Sequence, residues 1–106
     1  MKTSQLVVIL FLSLTVASAQ TSPSNAALTA NPVFQKNCVR CHGDNAQGRF
    51  MHGPSLVSNK KVHAATPDEL HTIITNGKGH MPKFGSKLSA EEIDTLAQQV
   101  KALNVK

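Results

Sequence analysis

The side chains best suited to chemistry stand together in one short run, Cys38-Val39-Arg40-Cys41-His42. The chain has 106 residues, and its only two cysteines are both in this run. A separation of three residues places both sulfurs on the same side of one helical turn. Thiols held in this way can each add across a vinyl group of a haem, while the adjacent imidazole binds the iron. The motif therefore predicts covalent haem attachment by Cys38 and Cys41, with His42 as an iron ligand.

Three other uses of the two cysteines stay open when only the residues are considered. A thiol–disulfide pair uses the same C-x-x-C spacing, but it needs a βαβ framework, and no useful segment alternates as a strand would. A zinc site would need two of the five histidines, yet His63, His71 and His80 are eight and nine residues apart, too far for the usual spacing. A disulfide between the two cysteines would close a very small loop and stabilise little. Haem attachment is the favoured interpretation.

Length and composition limit the remaining possibilities. A chain of 106 residues with a net charge of +5 is enough for one mildly basic domain, and its four aromatic residues are all Phe. Two cysteines exclude a disulfide framework and a four-cysteine zinc site. There is no run of 18 apolar residues, so no conventional membrane-spanning helix is expected. A cofactor that brought its own apolar mass would help to complete so small a core.

The first 19 residues have the layout of a secretory signal peptide. Met1-Lys2 gives a positive start, the run from Leu6 to Val16 is apolar, and Ala17-Ser18-Ala19 offers the small residues of a cleavage site. Cleavage before Gln20 would direct the mature chain to the periplasm or otherwise out of the cell, with no stable membrane span afterwards. An uncleaved anchor is the alternative, although the apolar run is short for a bilayer span. Residues 20–30 are predicted to be a flexible leader, and 31–106 to be the domain.

Capping signals divide this domain into helices. Asn31-Pro32 predicts a helix that runs towards Arg40. Thr66-Pro67 begins a second helix, which Asn76-Gly77 ends, and Ser89 with Glu92 forms a capping box before a third. The third helix carries an apolar stripe at helical spacing: Ile93, Leu96, Ala97, Val100 and Leu103. The expected fold is all-α, with three to four short helices and long loops wrapped around one covalently bound haem.

At the level of whole motifs, the chain resembles the class I cytochrome c family, specifically small soluble bacterial monohaem cytochromes c. The resemblance covers about Asn31 to Leu103. The segments that carry it are Cys38-Val39-Arg40-Cys41-His42-Gly43, Gly53-Pro54-Ser55-Leu56, the stretch from Asn76 to Phe84 (NGKGHMPKF), and Leu88-Ser89-Ala90-Glu91-Glu92-Ile93. The first motif is specific by itself, and the Met81-Pro82-x-Phe84 loop makes the set more so.

The resemblance implies a role for each site residue. Cys38 and Cys41 would hold one haem c, His42 would be the proximal iron ligand and Met81 the distal ligand. The carbonyl of Pro54 would accept the N–H of the proximal histidine and so orient its ring. In the loop before Met81, Gly79 is predicted to permit close approach of the backbone.

One departure from the family concerns the last helix. Gln98 or Gln99 stands where the family often has an aromatic residue that clasps the first helix near Phe34. The departure bears on how tightly the two helices pack, and leaves haem attachment unaffected.

Other side chains offer alternative iron ligands. Met51 lies only nine residues after His42, so a loop that reached across the haem plane would be very short, and packing is the favoured role. His80 is adjacent to Met81, and neighbouring side chains in an extended loop point opposite ways. A bis-histidine centre that uses one of the other histidines is kept as an alternative.

The expected function follows from the implied coordination. With both axial positions filled, no open site remains for a substrate, so the protein would be an electron carrier and would not be an enzyme. The implied partners are the haem attachment machinery, a dehydrogenase or reductase as electron donor, and an oxidase or reductase as acceptor, with no nucleic acid. Lys78, Lys83 and Lys87 beside the Met81 loop would favour an acidic partner surface, unless they only solubilise that face. The alternative functions are a ligand-binding or peroxide-reactive haem protein with a displaceable Met81 and, less favoured, a thiol–disulfide oxidoreductase.

Overall fold

The computed structural model describes residues 23–103, and within that range it contains six short α-helices and no strand. The helices are α1 (Pro23–Thr29), α2 (Pro32–Asn37), α3 (Val39–His42), α4 (Lys60–Ala64), α5 (Pro67–Asn76) and α6 (Ala90–Lys101). The all-α class is confirmed, with more helices than the three to four expected. The predicted signal peptide 1–19, and residues 20–22 and 104–106, lie outside the described residues. No helix between residues 23 and 103 is long and apolar enough to cross a membrane.

The helix starts that capping residues predict are confirmed. The Asn31 side chain accepts a hydrogen bond from the Val33 backbone N–H at 2.9 Å, and Thr66 Oγ1 accepts one at 3.1 Å from the N–H three residues on, at the start of α5. At α6, Ser89 and Glu92 form the reciprocal capping box, with bonds of 3.1 and 2.9 Å. These bonds satisfy backbone donors that a helix cannot satisfy internally.

Two of the six helices arise where no helix is expected from the sequence. Residues 23–29 of the expected flexible leader form α1, whose Leu28 is completely buried in the core formed with Phe34 and Val100. Helix α4 lies in the stretch without clear periodicity, where the Asn59 side chain caps its first turn and Lys101 Nζ donates to the backbone carbonyl of His63. Contacts with the rest of the fold stabilise both helices, which are too short to be stable alone.

The core lies along one face of α6. Four α6 residues are buried there: Ile93, Leu96, Ala97 and Val100. Helices α1, α4 and α5 pack against α6. Gln99, which departs from the family's usual aromatic, accepts a hydrogen bond from the Asn31 side chain at 2.8 Å. A polar contact therefore links the start of α2 to α6 beside the buried Phe34.

The first predicted helix is divided at Cys38. Helix α2 ends at Asn37, Cys38 has φ −115°, and α3 begins at Val39, so the helix expected to continue towards Arg40 is interrupted at the first cysteine. The Cys38 N–H still bonds the Phe34 carbonyl at 2.8 Å. This hydrogen bond joins Cys38 to α2, so that the first cysteine caps α3, while Cys41 and His42 lie within α3.

Candidate haem-binding site

The two cysteines are held on one helical turn as free thiols. Both are half-buried, and the carbonyl of Cys38 accepts the N–H of Cys41 at 3.2 Å and that of His42 at 2.9 Å. Burial, and secondly the nearby Cys41, raises the pKa of the Cys38 thiol from 9.0 to about 11. Thiol–disulfide oxidoreductases depend on the opposite effect, a lowered thiol pKa. The environment of Cys38 therefore gives no support to that alternative.

The loop that follows α3 returns to orient His42. The Nδ1 atom of His42 lies 2.9 Å from the carbonyl oxygen of Pro54. Because a carbonyl only accepts hydrogen bonds, Nδ1 must carry the proton, and the neutral imidazole then has its lone pair on Nε2. That is the tautomer of a histidine metal ligand whose orientation is set by an outer hydrogen bond.

Close backbone packing brings Pro54 to this position. Gly53 lies against α3, where a Cβ atom would be 2.7 Å from the carbonyl oxygen of Cys41. Only glycine allows the backbone to pass so near. The sequence carries a signal for this role, since a glycine stands directly before Pro54.

The Met81 side chain is carried by a loop tied at both ends. Lys78 and Met81 exchange backbone hydrogen bonds of 2.9 and 3.2 Å, and beyond the turn the Phe84 N–H bonds the carbonyl of Ile74 in α5 at 3.0 Å. Met81 is half-buried and Phe84 is buried. The loop is thereby attached to the end of α5.

The glycine of this loop that closely approaches other protein atoms is Gly77, a contact that was not predicted, and the role of Gly79 stays a prediction. Gly77 has φ +75°, and a Cβ atom there would lie 2.5 Å from the carbonyl oxygen of Met81. A Cβ atom on Gly79, at φ +58°, would meet no protein atom within 4 Å. Gly77 therefore has two roles: it ends α5, and it leaves space for the backbone of Met81, the candidate iron ligand. Only the first role was predicted from its position after Asn76.

The alternative ligands are dispersed. Met51 is 87% exposed, and His52 and His80 are exposed as well. His63 Nε2 lies 2.5 Å from the Val57 carbonyl. In the part of the chain that the structure describes, no group of three or more His, Cys, Asp or Glu side chains could hold a metal ion, so zinc binding gains no support.

The donor set of the site fits a covalently held haem. Two free thiols can attach the haem covalently, and an imidazole whose Nε2 carries the lone pair can bind its iron. A thioether, as on Met81, is one of the side chains that can serve as a second iron ligand. Half-buried apolar side chains also lie at the edge of the core, where a large apolar group could cover them: Val33, Val39, Leu56, Val57, Val62, Ile74 and Leu88. The assignment of individual ligands remains a prediction.

Comparison with known proteins places these features in a family. The family model described as cytochrome c oxidase, cbb3-type, subunit III, matches residues 25–98. Cytochrome c6 of Leptolyngbya boryana is 32% identical over 77 residues, which cover 70% of this chain and 88% of that protein. The chain belongs to the cytochrome c family. Its small size and single C-x-x-C-H motif make it a class I monohaem cytochrome c domain, and covalent haem c with its iron is confirmed as the cofactor.

Two further comparisons show how far the likeness extends. The cytochrome c domain is 31% identical over 90 residues to the cbb3-type oxidase subunit CcoP of Rubrivivax gelatinosus, but it spans only 29% of that protein. The chain thus spans less than a third of the length of the first curated relatives that it matches. The solved structure of cytochrome c6C from Synechococcus sp. PCC 7002 aligns with a TM-score of 0.56 at 31% identity, covering 65% of this chain and 85% of that one. The fold of the domain is thus that of a cytochrome c6.

Proposed function

We propose that this cytochrome c is a periplasmic electron carrier whose iron is bound by His42 and Met81 and which catalyses no reaction itself. When bound, haem c supplies a one-electron couple between ferrous and ferric iron. The observation that carries the proposal is the 2.9 Å contact between His42 Nδ1 and the Pro54 carbonyl. It holds the imidazole in the tautomer and orientation that an axial ligand needs, before any metal is considered.

Met81 is proposed to complete the coordination. Its loop is attached to α5 through the Phe84 backbone and closed by the Lys78–Met81 hydrogen bonds, which supports a defined course of the backbone at Met81. Phe84, three residues further on, is buried and would help to exclude water from a haem held there. A thioether ligand favours ferrous iron and raises the reduction potential above that of a bis-histidine centre.

A ligand-binding or peroxide-reactive haem protein is the alternative function. It would require Met81 to leave the iron readily. The backbone hydrogen bonds that close the loop and attach it to α5 favour a carrier, because they limit how far the Met81 backbone can move. Carbon monoxide added to the reduced protein separates the two: a carrier keeps its spectrum, whereas an open or easily opened site gives the spectrum of the carbonyl adduct.

Redox partners on either side of the carrier are part of the proposal. CcoP of Azospirillum brasilense is named as an oxidase subunit, and a relative from Bacillus subtilis as the cytochrome c subunit of a menaquinol:cytochrome c reductase. By analogy, a dehydrogenase or reductase would donate the electron, and an oxidase or reductase would accept it. The signal-like segment 1–19 supports a periplasmic location, where the haem attachment machinery would act on Cys38 and Cys41.

The decisive test is Met81→Ala, with Met51→Ala as the matched control on an exposed methionine. Loss of the Met81 thioether should abolish the near-infrared sulfur-to-iron band of the oxidised protein, lower the reduction potential and allow carbon monoxide to bind. The haem should stay attached through Cys38 and Cys41. Met51→Ala should leave the band and the potential unchanged. If the band survives in Met81→Ala, the sulfur ligand is another methionine and the proposed coordination is wrong. If the wild type lacks the band, the proposed coordination is also wrong, and a histidine becomes the first candidate.

A further inference from the structure

Two large apolar side chains stand out from the surface of the domain. Phe50 is 92% exposed and Met51 is 87% exposed, and they are the only large apolar residues so exposed between residues 23 and 103. They are adjacent in sequence and lie in a turn formed by residues 49–53, here called the Phe50–Met51 turn. The family comparison and the proposed coordination assign it no role.

The Phe50–Met51 turn is an ordered structure. Arg49 and Gly53 exchange backbone hydrogen bonds of 3.0 and 3.1 Å, and the His52 N–H bonds the Arg49 carbonyl at 3.0 Å. Met51 has φ +64°, a left-handed conformation that residues other than glycine adopt at a cost. A strained backbone and two solvent-exposed apolar side chains are both unfavourable for the isolated domain. Their coincidence in one closed turn indicates that the turn serves an interaction.

The Phe50–Met51 turn is attached directly to the helix that carries the Cys–His motif. The Arg49 guanidinium donates to the carbonyl oxygen of Arg40 at 2.7 Å. At the other end, Gly53 packs on the backbone of Cys41 so closely that a Cβ atom would lie 2.7 Å from its carbonyl oxygen. A protein that docked on the turn would therefore sit beside one of the two cysteines proposed to hold the cofactor. That position would give a short path for electron transfer.

The charges around the turn indicate what kind of surface would fit it. Exposed Arg40 and Arg49 flank the apolar pair, and among the described residues neither guanidinium forms an ion pair. One exposed carboxylate, Asp44, lines the same surface hollow as Arg49, and the sequence from Asn45 to Pro67 adds no Asp or Glu. The complementary surface is an apolar hollow with carboxylates at its rim. A second copy of this basic chain would bring like charges together, so it fits less well.

We propose that the Phe50–Met51 turn is the docking contact for a redox-partner protein that presents an apolar hollow rimmed by acidic residues. The inference rests on the proposed electron-carrier function and adds to it the surface and the chemistry of the partner. The two apolar side chains would act as the buried anchors of the interface, and the arginines would orient the approach.

The test uses the haem-loaded protein and electrodes of known surface chemistry. Gold is coated with alkanethiols that end in carboxylate groups, in methyl groups or in a mixture of both, and the mixed layer represents an acidic rim with an apolar hollow. Voltammetry gives the adsorption constant and the reduction potential together. Phe50→Ser/Met51→Ser removes the apolar anchors, and Phe50→Leu/Met51→Leu keeps an apolar pair as the matched control.

On the mixed layer, the serine variant should adsorb about tenfold more weakly than the wild type, the effect expected when an anchor is lost. The leucine variant should stay within about twofold of the wild type, a change small compared with the loss of an anchor. On the pure carboxylate layer all three proteins should adsorb alike, and all three should have the same potential.

Several results would overturn the proposal. If the serine variant and the wild type adsorb equally on the mixed layer, Phe50 and Met51 are not anchors of the interface. Sedimentation that shows a dimer lost only in the serine variant makes the turn a contact between copies. Binding to phosphatidylglycerol vesicles that requires Phe50 and Met51 makes it a membrane contact. If the wild-type protein gives no reversible voltammetric wave on any layer, the carrier function itself is contradicted, and this inference fails with it. This outcome differs from the others because it does not depend on the variants.

Discussion

A methyl group added to Gly77 should test how the fold positions the Met81 loop. At this residue φ is +75° and ψ is 171°, a region that only glycine occupies readily. For any other residue the strain is about 1–3 kcal/mol. The added Cβ would also lie 2.5 Å from the carbonyl oxygen of Met81. The three atoms nearest to the added Cβ are the Met81 oxygen, the Pro82 carbonyl carbon and the Lys83 nitrogen, all of the backbone. Relief therefore requires movement of the loop and weakens hydrogen bonding there by about 1 kcal/mol.

Gly77→Ala should therefore lower the free energy of unfolding by about 2–4 kcal/mol, the sum of strain and weakened hydrogen bonding. Gly79→Ala is the matched control in the same loop: its φ is +58°, but nothing lies within 4 Å of the added Cβ. Its cost should be about 1 kcal/mol, that of a left-handed alanine. Urea denaturation of the oxidised haem protein measures both values, and the near-infrared band reports whether the Met81 sulfur stays on the iron. The band should weaken or vanish in Gly77→Ala and persist in Gly79→Ala.

Two results would contradict this reasoning. If the two variants lost equal stability, the close approach of Gly77 to the Met81 carbonyl would not exist in the protein. If Gly77→Ala lost the larger amount but kept the full band, the loop packing would be correct, while Gly77 would not position the sulfur.

Three further predictions concern the rest of the chain. Intact mass of the protein from a secreting host should correspond to a chain that begins at Gln20 and carries one haem, and a mass that includes 1–19 would favour an anchor. Electron-transfer rates with the physiological partner should fall as salt rises, because the three exposed lysines near Met81 would steer an acidic surface; rates independent of salt would refute steering. Phe34→Ala should lower the free energy of unfolding, measured by urea denaturation, by about 3–5 kcal/mol, since Phe34 is 1% exposed. Phe50→Ala, on an exposed side chain, should lower it by less than about 0.5 kcal/mol.

Much of the helical structure was predictable because its signals are local. The Asn31 and Thr66 caps and the Ser89–Glu92 box satisfy backbone groups only two or three residues away, so the sequence reveals them without knowledge of the fold. The same holds for the Cys38–His42 motif, whose chemistry depends on residues within one turn.

Helices α1 and α4 could not be predicted in this way. Each has seven residues or fewer, and its stability depends on distant contacts. Leu28 of α1 is buried in the core with α6, and Lys101 bonds a carbonyl of α4 across 38 residues. A local pattern carries no information about such partners. For this reason the helix at Pro23–Thr29, within the expected leader 20–30, was not foreseen.

The available chemical groups and the starts of the main helices could be predicted from the sequence, since both depend on neighbours in the chain. The arrangement of those groups in space depends on how distant segments pack. The loop after α3 had to return across 12 residues to bring the Pro54 carbonyl to His42. The end of α5 had to leave room at Gly77 for the backbone of Met81, whose carbonyl oxygen would lie 2.5 Å from an added Cβ. Both depend on close backbone packing between distant segments, which the side-chain pattern of neither segment records.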